Sequence, residues 1–543
     1  MGCRAYRVYR HEGFYHTHYS PDDSYPGVLG LQIAAEIPRD PDEYKKWLAQ
    51  IRQALDHHFE MNEEHIDSPD AHYRIHTEQY DIEDTGVDYI YEIDLDHEVF
   101  LVDSFPMFAL NNMPETREVF LRSFGFDAYE HRVCAASTPD KHRYNWKALP
   151  PKVSDAIVAD YVARSVSDTC SFLPDLLGTT GIVSRCEAVR TELYEVFIGW
   201  AMSMREIAHE IRVLETAANM VSKDLRSTGR ALVQLAFGRM IFGDDPDDLS
   251  RKNKMNKEYD QLKQFIRGDN IKPVAQKFSW VVPNVCLCIT THLDDERHRK
   301  KRILKMVDHI VSSDKYQSGS PTYGILFSFF HCVVVRVESE DNFKSTIAMQ
   351  FLPDYFADSQ TTPGITAICS LAYHCLHDTP TTSFPDLNAH NPNHFLRRVP
   401  QEVLELITDY LAPMDLAALC VAAPVFTSAA HDILRFPHIE KYRLLKGKPA
   451  HGRDWEEENE LGETIILKSR RSLVTKRFET MVNGSPGPKL SVGRGAGGDD
   501  KACKPFSVGV VIGGDTYRSV GWRVTQPTTK AKEKEKKKKK KKD

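Results

Sequence analysis

The chain has 543 residues, with 41% hydrophobic and 27% charged. Domains typically run to about 100–200 residues, so this length predicts three or more folded units, with enough apolar material for sizeable cores. A net charge of −7 gives no global pull toward nucleic acid, and no apolar run reaches the roughly 18–20 residues that span a bilayer.

Met1-Gly2-Cys3 is similar to a dually acylated start, but Tyr6 stands where the myristoylation pattern wants Ser or Thr, so an ordinary start before a strand is expected. No signal-peptide pattern is read at the N-terminus. The eleven cysteines do not make a disulfide scaffold in a chain this long. Cys286 and Cys288, two apart, would share one strand face, and buried thiols in a reducing compartment are expected.

Ala5 to Tyr9 alternates, His11-Glu12-Gly13 supplies a turn, and Phe14 to Tyr19 returns as a second strand. Asp40 and Pro41 open a predicted helix to Phe59, with Tyr44, Trp47, Leu48, Ile51 and Leu55 on one face. A hairpin is predicted over Tyr89 to Val102, turning near Asp96-His97. These elements make an α+β domain over residues 1–150.

From Val153 to Phe242 the period becomes helical. Leu193, Val196, Phe197, Trp200, Met204, Ile207, Ile211 and Leu214 form a stripe read as the core face of a helical segment, residues 151–243. A polar break follows from Asp244. A second α+β unit, residues 275–377, is predicted from strand-like Trp280–Ile289, helical Arg297–Ile310 and strand-like Tyr323–Val337. Asp378 to Pro392 is a Pro/Thr-rich connector. At the far end, the Gly, Pro and Ser content from Gly484 and the run Lys536–Lys542 predict a disordered basic tail over residues 484–543, since like charges at that density repel.

The most informative stretch surrounds Pro400. Val399-Pro400-Gln401-Glu402-Val403-Leu404 opens a helix, with Pro400 suited to its first turn and Val403, Leu406, Ile407 and Leu411 on one face. Ala412-Pro413 breaks it. Asp415 and Leu416 start a short second helix, Pro424 breaks that, and Val425-Phe426 opens a third running to about Leu434. Three helices in about forty residues are too few to stand alone and should bury a face on the body or on a partner.

This pattern resembles the F-box family over residues 394–438. Val399-Pro400-Gln401-Glu402-Val403-Leu404 matches the family's Leu-Pro-x-Glu opening, and Tyr410-Leu411-Ala412-Pro413-Met414-Asp415-Leu416 matches its Pro-x-Asp-Leu turn. Val399 and Phe426 depart from the family's Leu and Trp. The resemblance implies a module docking on a Skp-type linker protein of a cullin–RING ubiquitin ligase. It assigns the docking face to Pro400, Val403, Leu404, Ile407, Leu411 and Leu416, and it leaves an unknown protein cargo to residues 1–390. Asp23 to Gly27, Tyr89 to Asp96, Thr291 to Glu296, Phe351 to Pro353 and Thr362 to Ala367 resemble uncharacterised fungal proteins, a likeness that brings no activity with it.

Thr291-His292-Leu293-Asp294-Asp295-Glu296 resembles the His-Pro-Asp-Asp-Glu signature of zinc-dependent N-acetylglucosamine deacetylases, which would make His292 and Asp295 ligands and Asp294 the base. Leu293 replaces the Pro, and no third ligand fits at His374, His377 or His390, so the plainer expectation is a helix start. Glu92, Asp94 and Asp96 share a strand face and could hold a hard cation, but a solvated face is favoured. His16 and His18 make half a metal site at most. Arg297 to Arg302 is expected as an exposed helix face.

The sequence thus predicts a multi-domain α+β adaptor without enzymatic chemistry or cofactor, working in the cytoplasm or nucleus. Two alternatives accompany it. One is a metal-dependent hydrolase around His292, Asp294 and Asp295. The other is a binding or structural protein whose helices near Pro400 only pack on the body.

Overall fold

The computed structural model describes residues 3–61, 73–76, 86–165, 172–243, 277–352, 361–377, 399–419 and 437–519, apart from short gaps inside these spans. It contains both helices and sheets, as the α+β class requires.

The first hairpin joins β1 (Ala5–His11) to β2 (Phe14–Ser20). Its two turn residues, Glu12 and Gly13, both lie at positive φ, 51° and 81°. That geometry matches the twist of the flanking strands. After α1 (Leu31–Glu36) comes α2 (Pro41–Met61), where the Asp40 carboxylate accepts the N–H groups of Asp42 and Glu43 at 3.0 Å each. These contacts satisfy two of the amides that a helix start leaves unpaired. Strands β3 (Tyr73–His76), β4 (Tyr89–Asp94), β5 (Val99–Val102) and β6 (Phe105–Ala109) complete a sheet in the order β3-β2-β1-β4-β5-β6. Only its β1–β4 pair is parallel. Alternation splits its side chains: Ala5, Tyr9, Tyr89, Tyr91 and Ile93 share a core with Tyr44, Leu48 and Leu55 of α2, while Tyr6, Val8 and Ile90 form a smaller cluster. Helix α3 (Arg117–Arg122), capped by Thr116, and the hairpin of β7 (Phe124–Phe126) and β8 (Arg132–Cys134) close this part.

The helices α4 (Asp155–Arg164), α5 (Leu173–Leu177), α6 (Arg185–Ser203) and α7 (Lys223–Phe237) follow. The predicted helical segment ends early, because Arg239–Gly243 is a strand, β9. A short apolar run has no decisive period, and pairing with a distant strand sets its conformation. The core stripe runs along α6 through Trp200, then breaks at Met204, whose ψ is 117°. Ile207 and Ile211 are buried beyond that break, and Leu214 lies outside the described residues.

Trp280–Ile289, read as one run, is two strands, β10 (Phe278–Val282) and β11 (Val285–Ile289), with Pro283-Asn284 between them. Helix α8 (Glu296–Val311) crosses from β11 to a parallel β12 (Thr322–Phe327). Strands β13 (His331–Ser339), β14 (Asn342–Ser345) and β15 (Met349–Gln350) then pair antiparallel. Val285, Leu287 and Ile289 turn to one face, where α6, α7 and α9 (Pro363–His377) cover them. Cys286 and Cys288 turn to the other, under α8 and α4. Helices of the expected 151–243 segment therefore pack on both faces of the sheet of the 275–377 unit, in three layers with a core on each side. The eight cysteines whose side chains are described are free thiols.

After α10 (Gln401–Asp409), the described residues from 437 onward are largely strand. β16 (His438–Ile439) and β17 (Tyr442–Ala450) come first, then β18 (Trp455–Glu458) and β19 (Thr464–Leu467), which pair with each other. β20 (Ser472–Val482), β21 (Ser485–Pro486), β22 (Lys489–Gly493) and β23 (Cys503–Pro505) extend the sheet β16-β17-β20-β22-β23. β24 (Ser507–Ile512) and β25 (Asp515–Ser519) join β9. This corrects the expected tail, which was to begin at Gly484. Leu490 and Val492 are buried in the core that includes α6. Gly484, the first of the glycines that suggested a linker, serves a turn at φ 70°. The lysine run lies outside the described residues.

Candidate functional site

Helix α10 is the region the sequence singled out. Pro400 is at the N-cap position, one residue before the expected first turn, and its carbonyl accepts the N–H groups of Val403 and Leu404 at 3.0 and 3.2 Å. Leu404 and Thr408, one turn apart, point inward and are 3% and 0% exposed. The Thr408 hydroxyl donates to the Leu404 carbonyl at 3.0 Å. The opposite side carries Val403, Leu406, Ile407 and Tyr410, at steps of three and four residues, exposed by 41%, 58%, 40% and 60%.

Of the six residues that the resemblance assigned to docking, Pro400, Val403 and Ile407 are exposed and Leu411 is half-buried. Leu404 and Leu416 are buried, which corrects that assignment: they hold the segment against its own chain. Leu406 joins the outward face in their place. Tyr410 lies over Gly484, where a Cβ would stand 2.5 Å or less from its ring. Residues 415, 416, 418 and 419 are helical, as expected for the second helix, and the third helix lies outside the described residues.

The deacetylase-like stretch has another use. Asp295 is the N-cap of α8, and its carboxylate accepts the His298 N–H at 2.6 Å. Asp294 is exposed. His374 Nε2 pairs with the Tyr323 hydroxyl at 3.2 Å. Among the described residues, no three His, Cys, Asp or Glu side chains gather as a metal set.

Glu92 and Asp94 are buried, not solvated, at 2% and 3% exposed, while Asp96, in the turn past β4, is exposed as expected. Arg10 NH1 reaches Asp94 at 2.7 Å, and His97 Nδ1 lies 2.8 Å from it. Burial works to raise the Asp94 carboxyl, but the hydrogen bond from His97 and the charge of Arg10 outweigh it and hold Asp94 below its ordinary value. Asp96 accepts the N–H groups of Glu12 and Gly13 at 2.8 and 3.1 Å, tying one hairpin turn to the other. Of the early histidines, His11 meets Asp56 at 2.8 Å, His16 is buried and His18 is exposed.

One cluster had no motif to announce it. Lys476 on β20 forms a buried ion pair with Glu195 on α6, their side chains 4% and 1% exposed. The Thr361 hydroxyl also donates to Glu195, at 2.7 Å. Glu192 nearby is raised by burial, against the charge of Lys476 and the Gly447 N–H. A charge-bearing helix face, Glu187, Glu192 and Glu195 on α6, was the available signal. Its partner lies 281 residues on, beyond the reach of pattern reading.

Comparison of the chain with protein-family models, curated proteins and solved structures finds no match in any of the three. Among the described residues, no helix is long and apolar enough to cross a membrane.

Proposed function

We propose that this chain is a docking adaptor: α10 offers its outer face to a Skp-type linker of a cullin–RING ubiquitin ligase, and the preceding body holds a protein cargo, in the cytoplasm or nucleus. The observation that carries this reading is the stripe of Val403, Leu406, Ile407 and Tyr410 left exposed on a helix anchored from behind by Leu404. A contiguous apolar stripe on an anchored helix is the form that helix-in-groove recognition takes. Fully burying each aliphatic side chain would contribute roughly 1.5–3 kcal/mol, an upper bound for these half-exposed residues.

The test is a pulldown of purified linker by the full chain and by the Val403→Asp, Ile407→Asp double variant. Capture by the wild type and loss in the variant, with circular dichroism unchanged, is the expected outcome. Equal capture by both, or none by either, removes the adaptor reading. A second reading rests on the contact of Tyr410 with Gly484: α10 would then be a cap on its own body, and the double variant would be unfolded or unchanged.

A further inference from the structure

Helix α8 leaves the carboxyl end of β11, so its first turns stand over that end of the sheet. Ligands of α/β sheets tend to settle at this end. Lys277 is there too, because the next residue, Phe278, pairs with Cys288. Helix α7 brings Arg226 and Arg230, one turn apart. Gly229 between them allows the approach: a Cβ there would lie 2.9 Å from Ile289 Cδ1 and 3.1 Å from the Phe329 ring. From α8 come Arg302 and Lys305. Arg226, Lys277, Arg302 and Lys305 all lie close enough to act on the Cys288 thiol.

Other members of the same basic run are neutralised: Arg297 pairs with Asp155, and Lys300 with Glu296. Among the described residues, Arg226, Arg230, Lys277, Arg302 and Lys305 have no carboxylate partner. Burial lowers Lys277, and the like charges of Arg302, Lys305 and Arg226 add to the effect.

Beneath α8 lie two buried polar atoms without a hydrogen-bond partner among the described residues, Thr290 Oγ1 and His298 Nδ1. Thr290 and His298 are 2% and 1% exposed. Thr290 continues β11 by donating its N–H to the Phe327 carbonyl at 2.9 Å, and alternation puts its side chain on the face of Cys288, beneath α8. Arg302 Nε donates to His298 Nε2 at 2.9 Å. That fixes Nε2 as the acceptor, so in the neutral ring Nδ1 carries the proton and is a donor. Donors and cations therefore outnumber acceptors here, where the Asp295 carboxylate is already engaged by the His298 N–H. His292 and Phe329, just past β11 and β12, sit at φ 53° and 66°, the kind of local strain that accompanies sites.

We propose that the carboxyl end of β11 is an anion site for the phosphoryl group of a small phosphorylated molecule, held by Arg226, Lys277, Arg302 and Lys305 with Thr290 and His298 at its floor. A phosphoryl dianion matches the site better than a single carboxylate, since it supplies three oxygens to several donors and balances more of the charge. Thr290 and His298 are nearly sealed, which favours a small ligand over a macromolecular one. This assignment is independent of what α10 docks.

The test uses the full-length protein with inorganic phosphate, by titration calorimetry and thermal melting at ionic strength matched with chloride. Phosphate should bind and raise the melting temperature. The exposed pair Lys277→Gln, Lys305→Gln should weaken binding at least tenfold with unchanged circular dichroism, and Arg302→Gln should do the same. Lys45→Gln, on α2, should have no effect. A small sugar phosphate should displace inorganic phosphate. Melting that responds to phosphate no more than to chloride, or binding unchanged in the Lys277, Lys305 variant, overturns the site. A phosphoserine peptide binding tenfold more tightly than the sugar phosphate overturns the small-molecule assignment.

Discussion

Replacing Lys476 by Met tests how the C-terminal sheet is held to the body. The wild-type amine pairs with Glu195 where both side chains are nearly sealed from water. Met is close in length and keeps the packing, so the change isolates the charge. It leaves the Glu195 carboxylate with the hydrogen bond from the Thr361 hydroxyl and Glu192 without the nearby cation. Removing one partner of a buried pair typically costs about 3–5 kcal/mol. At about 1.4 kcal/mol per tenfold, that is on the order of a hundred- to several-thousand-fold in the equilibrium for opening this contact. Native-state hydrogen exchange over β20 and β22 reads that opening locally, which a chain of several units requires, since one global unfolding energy need not exist for it. The Glu195→Met, Lys476→Met double variant should recover most of the loss, because a buried pair exchanged for apolar side chains is often neutral or better. A loss below about 1 kcal/mol in Lys476→Met, the value of an exposed pair, would refute the reasoning. So would a double variant that costs the sum of the two singles.

Acid should weaken the body through His298. Burial, with the charges of Arg302, His292 and Lys301, holds this imidazole down at about 4, so it stays neutral while an unfolded histidine protonates near 6.5. Its contribution is complete above about pH 6.5 and is lost as pH falls toward 4, so the drop in urea midpoint between pH 7 and pH 5 should be smaller in His298→Asn. His97 runs the other way: its hydrogen bond to Asp94 raises it, burial opposing, so its contribution is whole below about pH 6.5 and lost as pH rises through the raised value. Proton NMR of the two rings should show one titrating above and one well below the ordinary value. Gly364→Ala should destabilise by about 1–3 kcal/mol, measured by native-state hydrogen exchange over α9. Its Cβ would meet the Gln350 carbonyl oxygen at 2.6 Å and the Phe351 Cα at 2.9 Å, backbone atoms that cannot rotate away.

Local signals gave the first hairpin and α2 nearly to the residue, because Gly13 and the Asp40-Pro41 pair act on their own neighbours. Where a conformation depends on a distant strand, the reading went astray. Arg239–Gly243 looked like the end of a helix and is paired with Ser507–Ile512. Leu490 and Val492 looked like part of a tail, since a composition rich in Gly and Ser hides a strand whose core face is two residues wide. The carboxylates of β4 looked solvated because no cation lies near them in sequence. Arg10 comes from the parallel neighbour, set opposite Asp94 by the sheet register.

The face of α10 shows the same limit at a finer scale. Its apolar residues fall on two sides, Leu404 on one and Val403, Leu406 and Ile407 on the other. Periodicity identifies an amphipathic helix, but a nine-residue helix with apolar groups on both sides does not say which side the body claims. The F-box resemblance mixed the two sides in one docking set. Burial separates them: Leu404 and Leu416 fix the segment in place, and that fixing is what holds the other side as a steady surface toward solvent. An outward stripe on a helix free to roll would bury itself. Anchored from behind, it stays exposed until something else covers it, so on the adaptor proposal Leu404→Ala should lower linker capture even though Leu404 faces inward.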